Sequence, residues 1–306
     1  MVRLLAVLVL AGVSVNGQTI TETFGTGANQ FSIDFVTIGN PRNSADTTGS
    51  PNPAGRVDYI YNIGKYEISR AQVLAAIANG ASGITLFDSL DAAKPATGIN
   101  WKEAAFFVNW LNTSKGYNPA YKFSGGTFSP WSGADSGYNP DNTFRNSSAV
   151  YFLPSVDEWY KAAYYDPNKN GGLGGYWDYP TGSDSSPGSV AQGNSPGTAV
   201  FGYAGSGPAN VDFAGGASPF GTIGQGGNVF EWNEAGSNLV DNRVLRGGMW
   251  GSHDGFLKGS FYYVGWIEDG GAENGFRIAM IPEPSSLSLL LAGGAAFAAA
   301  RRRRLV

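Results

Sequence analysis

Polar and apolar residues alternate along the first part of the chain. Residues 19–36 alternate in this way around an interruption at 25–30, which is typical of two strands joined by a turn. Alternation resumes over residues 57–68 and predicts a third strand there. The intervening residues, 40–55, are rich in Pro, Gly, Asn, Ser and Asp, so we expect a loop.

Three segments carry the spacing of three and four residues that predicts an amphipathic helix. The clearest covers residues 101–111, where Asn100 is placed to cap the N-terminus. Ser69 is placed to cap a helix over Arg70–Ala78. A further helix is predicted over 155–163. We expect the glutamates and aromatic residues of these helices to belong to the core and its rim.

The segment 227–232 sets one carboxylate between two aromatic residues. If the backbone there is extended, Val229 and Glu231 lie on one face and the aromatic residues on the other. The carbonyl oxygens of Gly227 and Val229 and the carboxylate of Glu231 could then converge on one point. Three oxygens around a point suit a hard cation such as calcium.

An ion pair is the alternative interpretation of the same carboxylate. A buried carboxylate without a partner is costly, so a buried Glu231 needs a cation or hydrogen-bond donors. Arg246 and Arg277 follow later in the chain and could supply a guanidinium. The residues leave both interpretations open.

Composition restricts the chemistry that the chain can perform. Glycine is abundant, at 45 of 306 residues, which predicts few helices and many loops. The absence of cysteine excludes disulfides, thiol nucleophiles and thiolate metal sites. His253 is the only histidine, so a site with several histidines is excluded. Ser252, His253 and Asp254 are consecutive, and consecutive residues do not converge as a catalytic triad.

The first 17 residues have the order of a secretory signal peptide. Arg3 begins it, residues 4–15 form an apolar run, and residues 15–17 make an acceptable cleavage site. We therefore expect residues 1–17 to be removed and the folded domain to begin at residue 18.

Residues 282–306 carry a second export pattern. Pro282, Glu283 and Pro284 precede an apolar run, 285–300, and four arginines, 301–304. This ordered triple resembles the PEP-CTERM sorting signal of Gram-negative bacteria. The resemblance implies an exosortase-type sorting enzyme as a partner, transient anchoring in the membrane, cleavage near the motif, and delivery to the cell surface or extracellular matrix. An ordinary C-terminal membrane anchor is the alternative.

Processing at both ends would change the charge of the protein. It removes Arg3 and the four arginines 301–304 and no acidic residue, which leaves 15 basic and 24 acidic residues and a net charge of −9. An acidic surface repels phosphate groups, so we expect no nucleic-acid partner.

Seven short motifs of a single protein family occur in order along most of the chain. They are 65–69 (KYEIS), 100–104 (NWKEA), 109–111 (NWL), 153–159 (LPSVDEW), 227–232 (GNVFEW), 243–250 (RVLRGGMW) and 275–277 (GFR). The series resembles the formylglycine-generating enzyme (sulfatase-modifying factor) family. The resemblance implies one α+β domain over residues 18–281, a variant of the C-type-lectin fold with twisted antiparallel sheets, a few helices and many ordered loops.

The chain departs from this family at the residues that carry its chemistry. Formylglycine-generating enzymes use two copper-binding cysteines, and the matching positions fall near Ser252 and Leu257. We therefore expect neither formylglycine generation nor bound copper. The iron-dependent sulfoxide synthases of a related branch need several histidines, and this chain has one.

The resemblance also implies structural calcium. One site would use the oxygens already named around Glu231. The side-chain ligand usual three residues before Gly227 is replaced here by Gly224. A second site would correspond to Asn210 and the carbonyl of Val211.

Two hypotheses for function follow. The first is a non-catalytic exported protein that binds exopolysaccharide or another matrix component, since aromatic faces stack well on sugars. Its candidate ligand-facing residues are Trp250, Ser252, His253, Tyr262, Tyr263 and Trp266. The second is an enzyme with replaced chemistry in the same groove, a hydrolase or a metal-dependent oxygenase. The spacing of the available carboxylates selects no pair. They are Asp157, Glu158, Glu231, Glu234, Glu268 and Asp269.

Overall fold

A computed structural model describes residues 17–86, 89–235 and 240–282. Nearly all of the predicted signal peptide and of the predicted sorting signal lies outside these ranges. The strands are β1 (Thr19–Phe24), β2 (Phe31–Ile38), β3 (Tyr61–Gly64), β4 (Lys122–Ser124), β5 (Thr127–Ser129), β6 (Tyr151–Phe152), β7 (Tyr165–Asp166), β8 (Gly175–Tyr176), β9 (Gly188–Ser189), β10 (Thr198–Ala199), β11 (Phe230–Trp232), β12 (Asn242–Arg246), β13 (Tyr263–Trp266), β14 (Asn274–Gly275) and β15 (Ala279–Met280). The helices are α1 (Arg70–Ala78), α2 (Trp101–Ser114), α3 (Val156–Tyr164) and the single turn α4 (Lys169–Gly172).

A five-stranded antiparallel sheet joins the two ends of the domain. Its order is β1-β2-β3-β15-β6, with Val36 opposite Ile63 and Ile63 opposite Ala279. The last strand of the domain therefore lies between strands from its first and middle thirds. Both strands predicted within residues 19–36 are confirmed. The strand predicted over 57–68 is confined to β3, because the chain bends on both sides of it, at residues 58–59 and 65–66.

A four-stranded sheet carries the 227–232 segment. Its order is β13-β12-β11-β14, and β12 is antiparallel to both of its neighbours. The pairing of β11 with β14 is parallel and sets Glu231 beside Gly275. A Cβ on Gly275 would lie 2.8 Å from the side chain of Val229, so only glycine fits so close an approach. This sheet thus brings the 227–232 and 275–277 motifs together.

The three longer helices begin where the sequence predicts. Ser69, Asn100 and Ser155 each accept a hydrogen bond from the backbone N–H three residues later. In each case the side chain at that third position, Gln or Glu, bonds back to the capping residue's N–H. These capping boxes are local, which explains why the helix starts are readable from sequence.

The largest core cluster lies between α2 and the five-stranded sheet. Trp101, Phe107 and Leu111 of α2 are fully buried in it, together with Phe35 and Ile63 of the sheet. Mixed helix and sheet confirm the α+β class. Among the residues described, no helix has the length and apolar character needed to cross a membrane. The apolar run 285–300 lies outside them.

Candidate functional site

Glu231 forms a fully buried ion pair with Arg277. Arg277 Nε lies 2.5 Å from Glu231 Oε2, and Nη2 lies 2.6 Å from Oε1. Trp159 Nε1 donates a third hydrogen bond to Oε2 at 2.7 Å. The ion-pair interpretation of Glu231 is therefore confirmed, and the partner is Arg277. Arg246 instead donates to the backbone carbonyls of Ser50 and Phe261.

Glu67 adds a second carboxylate to this centre. Its Oε2 accepts from Asn228 Nδ2 at 2.7 Å, whereas its buried Oε1 has no hydrogen-bond partner. Burial, and then the charge of Glu231, raise the pKa of Glu67 well above its ordinary value. A Cβ on Gly224 would lie 3.0 Å from the Glu67 carboxylate. Glu67 therefore occupies the space beside the position where the family resemblance implies a ligand.

These residues fit a cation only in part. Both carboxylate oxygens of Glu231 already accept from Arg277, and the free acceptor beside Gly224 is Glu67 Oε1. Across the described ranges, no group of three or more acidic, histidine or cysteine side chains is arranged to hold a metal ion. Calcium at Gly227, Val229 and Glu231 therefore stays a prediction.

The second predicted calcium position adjoins the first. Asn210 precedes a short 3-10 helix, Val211–Phe213, and its carbonyl accepts from the N–H of Phe213. The N–H of the preceding Ala209 donates to Asn228 Oδ1 at 2.7 Å. Asn228 therefore links this segment to Glu67, and calcium at Asn210 and Val211 also stays a prediction.

The positions that match the family's cysteines lie after β12. Ser252 is buried, and its hydroxyl accepts from the N–H of Met249 at 2.9 Å. Leu257 is fully buried. His253 is exposed and begins the 3-10 helix Asp254–Leu257. The neighbouring Asp254 accepts a hydrogen bond from the hydroxyl of Tyr179 at 3.3 Å.

Aromatic side chains cover the surface beside these positions. On β13, Tyr263 is 57% exposed and Trp266 is 59% exposed. The ring of Tyr263 lies 6.4 Å from Phe230, and Phe230 lies 6.4 Å from Phe256. Phe256 packs in turn on Phe261 at 4.4 Å. We call Phe230, Phe256, Phe261 and Tyr263 the aromatic surface. Trp266 lies three residues further along β13, so its side chain is on the opposite face of the strand.

The remaining candidate residues border this surface without joining one pocket. Trp250 is half-buried and meets the exposed ring of Tyr203 edge-on, with centroids 5.3 Å apart. Tyr262 points to the other side of β13, where its ring lies 5.8 Å from the Arg246 guanidinium. Sequence patterns did not indicate Phe230 and Phe256 as surface residues, because they become neighbours only through the packing of the 3-10 helix on β11.

Of the six carboxylates considered for paired chemistry, the structure brings Glu158 and Glu234 together on Arg145. Arg145 Nη2 lies 3.0 Å from Glu158 Oε2 and 2.8 Å from Glu234 Oε2. Burial tends to lower the pKa of Arg145, but Glu158 and Glu234 raise it well above its ordinary value. Arg145 was not indicated by sequence, since no motif includes it.

Two family models match the chain. The sulfatase-modifying factor enzyme 1-like domain matches residues 35–281, and the PEP-CTERM protein-sorting motif matches residues 281–304. The chain belongs to the sulfatase-modifying factor family. The sheet adds residues 19–34, because β1 and the start of β2 lie before the matched range. No curated protein sequence matches the chain.

Three solved structures share the fold along nearly their whole lengths. Treponema denticola variable protein 1 has a TM-score of 0.57 and 18% identity and covers 86% of this chain and 99% of its own. CarF has a TM-score of 0.58 and 21% sequence identity, and the match covers 82% of this chain and 99% of CarF. PvdO from Pseudomonas aeruginosa has a TM-score of 0.55 and 15% sequence identity, and the match covers 88% of this chain and 100% of PvdO. These likenesses confirm the C-type-lectin-like fold and carry nothing further.

The sorting motif bears on the route of the protein. A PEP-CTERM motif indicates export, anchoring in the membrane by the C-terminus before processing, and sorting by an exosortase. The sulfatase-modifying factor domain is therefore part of an exported protein.

Proposed function

We propose that this is a non-catalytic cell-surface or matrix-associated protein of a Gram-negative-type bacterium, and that its domain binds an extracellular ligand such as exopolysaccharide. In this proposal the signal peptide 1–17 is removed and the domain extends over 18–281. Cleavage by the exosortase then releases the segment beginning at Pro282. Ser252 and Leu257 stand where the family's chemistry needs thiolates, which supports binding in place of turnover.

The exposed aromatic run is the observation that carries this proposal. Tyr263 presents more than half of its surface to solvent on an edge strand, with its ring 6.4 Å from that of Phe230, and Trp266 on the same strand is also more than half exposed. A contiguous exposed apolar patch often marks an interaction site. Flat rings at the end of a rigid sheet suit the apolar face of a sugar, and their low conformational freedom reduces the entropic cost of binding.

A pull-down on extracellular polysaccharide from a PEP-CTERM-bearing bacterium tests it. We expect the wild-type protein to be retained and both Tyr263→Ala and Trp266→Ala to weaken retention about tenfold. Tyr138→Ala is the matched control, because Tyr138 is also exposed (37%) but lies outside the aromatic surface. Equal retention of all four proteins would contradict binding through this surface.

A further inference from the structure

A cavity of about 740 Å³ lies outside the aromatic surface and shares no residue with it. Its walls come from residues 56–59, the loop 139–147, the first turn of α3 and the residues that follow β11. Phe230, at the start of β11, belongs to the aromatic surface. Glu234, beyond the end of the same strand, lines the cavity. The volume is within the range of pockets that hold small ligands.

The cavity has a rigid polar floor. Arg145 is fixed between Glu158 and Glu234 and lies 3.6 Å above the ring of Phe152. Tyr59 donates to Glu158 at 2.6 Å, and Asn142 donates to Glu234 at 2.7 Å. Arg145, Glu158 and Glu234 are buried, and each is held by more than one partner, so the floor is organised before any ligand arrives.

The charge of the cavity is negative. The guanidinium of Arg145 is bound by two carboxylates, that of Glu234 in the cavity lining and that of the fully buried Glu158. Asp141 and Asp157 add two further carboxylates to the walls, while the charge of Arg56 is neutralised by Asp58 at 2.9 Å. Carboxylates accept hydrogen bonds and repel anions. The lining therefore favours donor-rich ligands without negative charge.

Aromatic rings complete the walls. Tyr59 is 43% exposed, and its hydroxyl is fixed on Glu158, so its ring is held in place in the cavity lining. Phe144 also lines the cavity, and the guanidinium of Arg243 lies 4.7 Å from the centre of its ring. A fixed ring among carboxylate and amide acceptors matches a ligand that has both an apolar face and many hydroxyl donors.

We propose that this cavity binds a neutral or amine-bearing saccharide unit, with Tyr59 stacked on the sugar face and Asp141 and Asp157 accepting from its hydroxyl groups. This is a second site, independent of the aromatic surface. Its ligand class differs from that of acidic polysaccharides, which the carboxylates would repel.

Isothermal titration of the purified protein with three probes tests the charge preference. The probes are cellotriose, fully deacetylated chitotriose and a trimer of uronic acid. We expect the first two to bind and the uronate trimer to bind at least about tenfold more weakly. Absence of binding by both non-acidic probes, or equal binding of the uronate, would overturn the proposal.

Substitutions locate the binding and separate it from the proposed function. Tyr59→Ala should weaken saccharide binding about tenfold, whereas Tyr59→Phe keeps the ring and should bind within about twofold. Asp141→Asn removes a negative charge from an exposed side chain, so it should reduce the difference in affinity between the neutral probe and the uronate probe. Leu173→Ala, at an exposed residue outside both sites, should leave these affinities unchanged. Retention of Tyr59→Ala in the polysaccharide pull-down reports on the aromatic surface, so that loss there and loss at the cavity are distinguishable. Equal affinity of wild type and Tyr59→Ala would overturn the site, with melting temperatures confirming that each variant is folded.

Discussion

Arg277 binds Glu231 through two hydrogen bonds although 45 residues separate them in the chain. Glu231 belongs to the four-stranded sheet, and Arg277 lies between β14 and β15, where the chain passes to the five-stranded sheet. Arg277 Nη1 also donates to the carbonyl of Gly64 at the end of β3, at 2.9 Å. The pair therefore joins the two sheets at the centre of the domain.

Replacement of Glu231 by Gln should destabilise the domain strongly. It leaves the buried guanidinium of Arg277 without its bidentate partner, and loss of one member of a buried pair costs about 3–5 kcal/mol. Urea denaturation measures the change in the free energy of unfolding. Glu268→Gln is the control, because Glu268 is 67% exposed in its pair with Lys102 and should cost about 1 kcal/mol or less. Similar losses of unfolding free energy in the two variants would show that the Glu231–Arg277 pair stabilises the domain no more than a surface pair does.

Calcium titration tests the predicted ion site around Gly227, Val229 and Glu231. If the ion binds, calcium raises the melting temperature of the protein after EDTA treatment, because a ligand that binds only the folded state stabilises it. Magnesium, which prefers a smaller octahedral site, should have a weaker effect. Glu67→Gln should reduce the calcium shift, since Glu67 Oε1 is the acceptor left free beside Gly224. An unchanged melting temperature would leave Arg277 as the sole cation at Glu231.

Gly227 should tolerate no side chain. Its φ is +83°, and a Cβ would lie 2.0 Å from the carbonyl oxygen of Val200. Gly116 has nearly the same φ, +81°, with open space around it, so Gly116→Ala measures the conformational cost alone, about 1–2 kcal/mol. Gly227→Ala should exceed that loss of unfolding free energy by ~1–3 kcal/mol, because the backbone must move. Thermal and urea denaturation of the two variants should rank them in this order, and the reverse order would refute the close contact.

Lys161 should make the stability of the protein depend on alkaline pH. Burial lowers the pKa of Lys161 from 10.5 to about 8, with Asp58 opposing the shift, while its Nζ donates to the carbonyl of Asn40 at 2.8 Å. Between these two pKa values the unfolded chain binds more protons than the folded chain, so this group makes stability rise with pH from about 8 towards 10.5. Lys161→Met removes this titrating group and with it this contribution to the pH dependence of stability.

The difference between wild type and Lys161→Met isolates this contribution. Unfolding free energies measured from pH 7.5 to 10 should converge or cross as the wild-type protein gains stability relative to the variant. Buried tyrosines such as Tyr164, the pKa of which is raised by burial, act in both proteins and cancel in the difference. A difference that stays constant across this range would show that Lys161 keeps its ordinary pKa.

The sequence by itself determined the features that depend on neighbours in the chain. The helix starts at Ser69, Asn100 and Ser155 follow from capping bonds that span three residues. The two strands before residue 38 follow from alternation, and the ordered motifs identified the family and its fold. These signals are local or shared across a family, so they survive without knowledge of packing.

Only the tertiary structure decided which distant side chains meet. Sequence offered Arg246 and Arg277 equally to Glu231. Strand register sets Arg246 directly opposite Glu231, yet the guanidinium that binds the carboxylate is that of Arg277. No motif placed Arg145 between Glu158 and Glu234, or Phe256 against Phe230. Such contacts close long loops and depend on the sum of many weak packing terms, so no local pattern of residues records them.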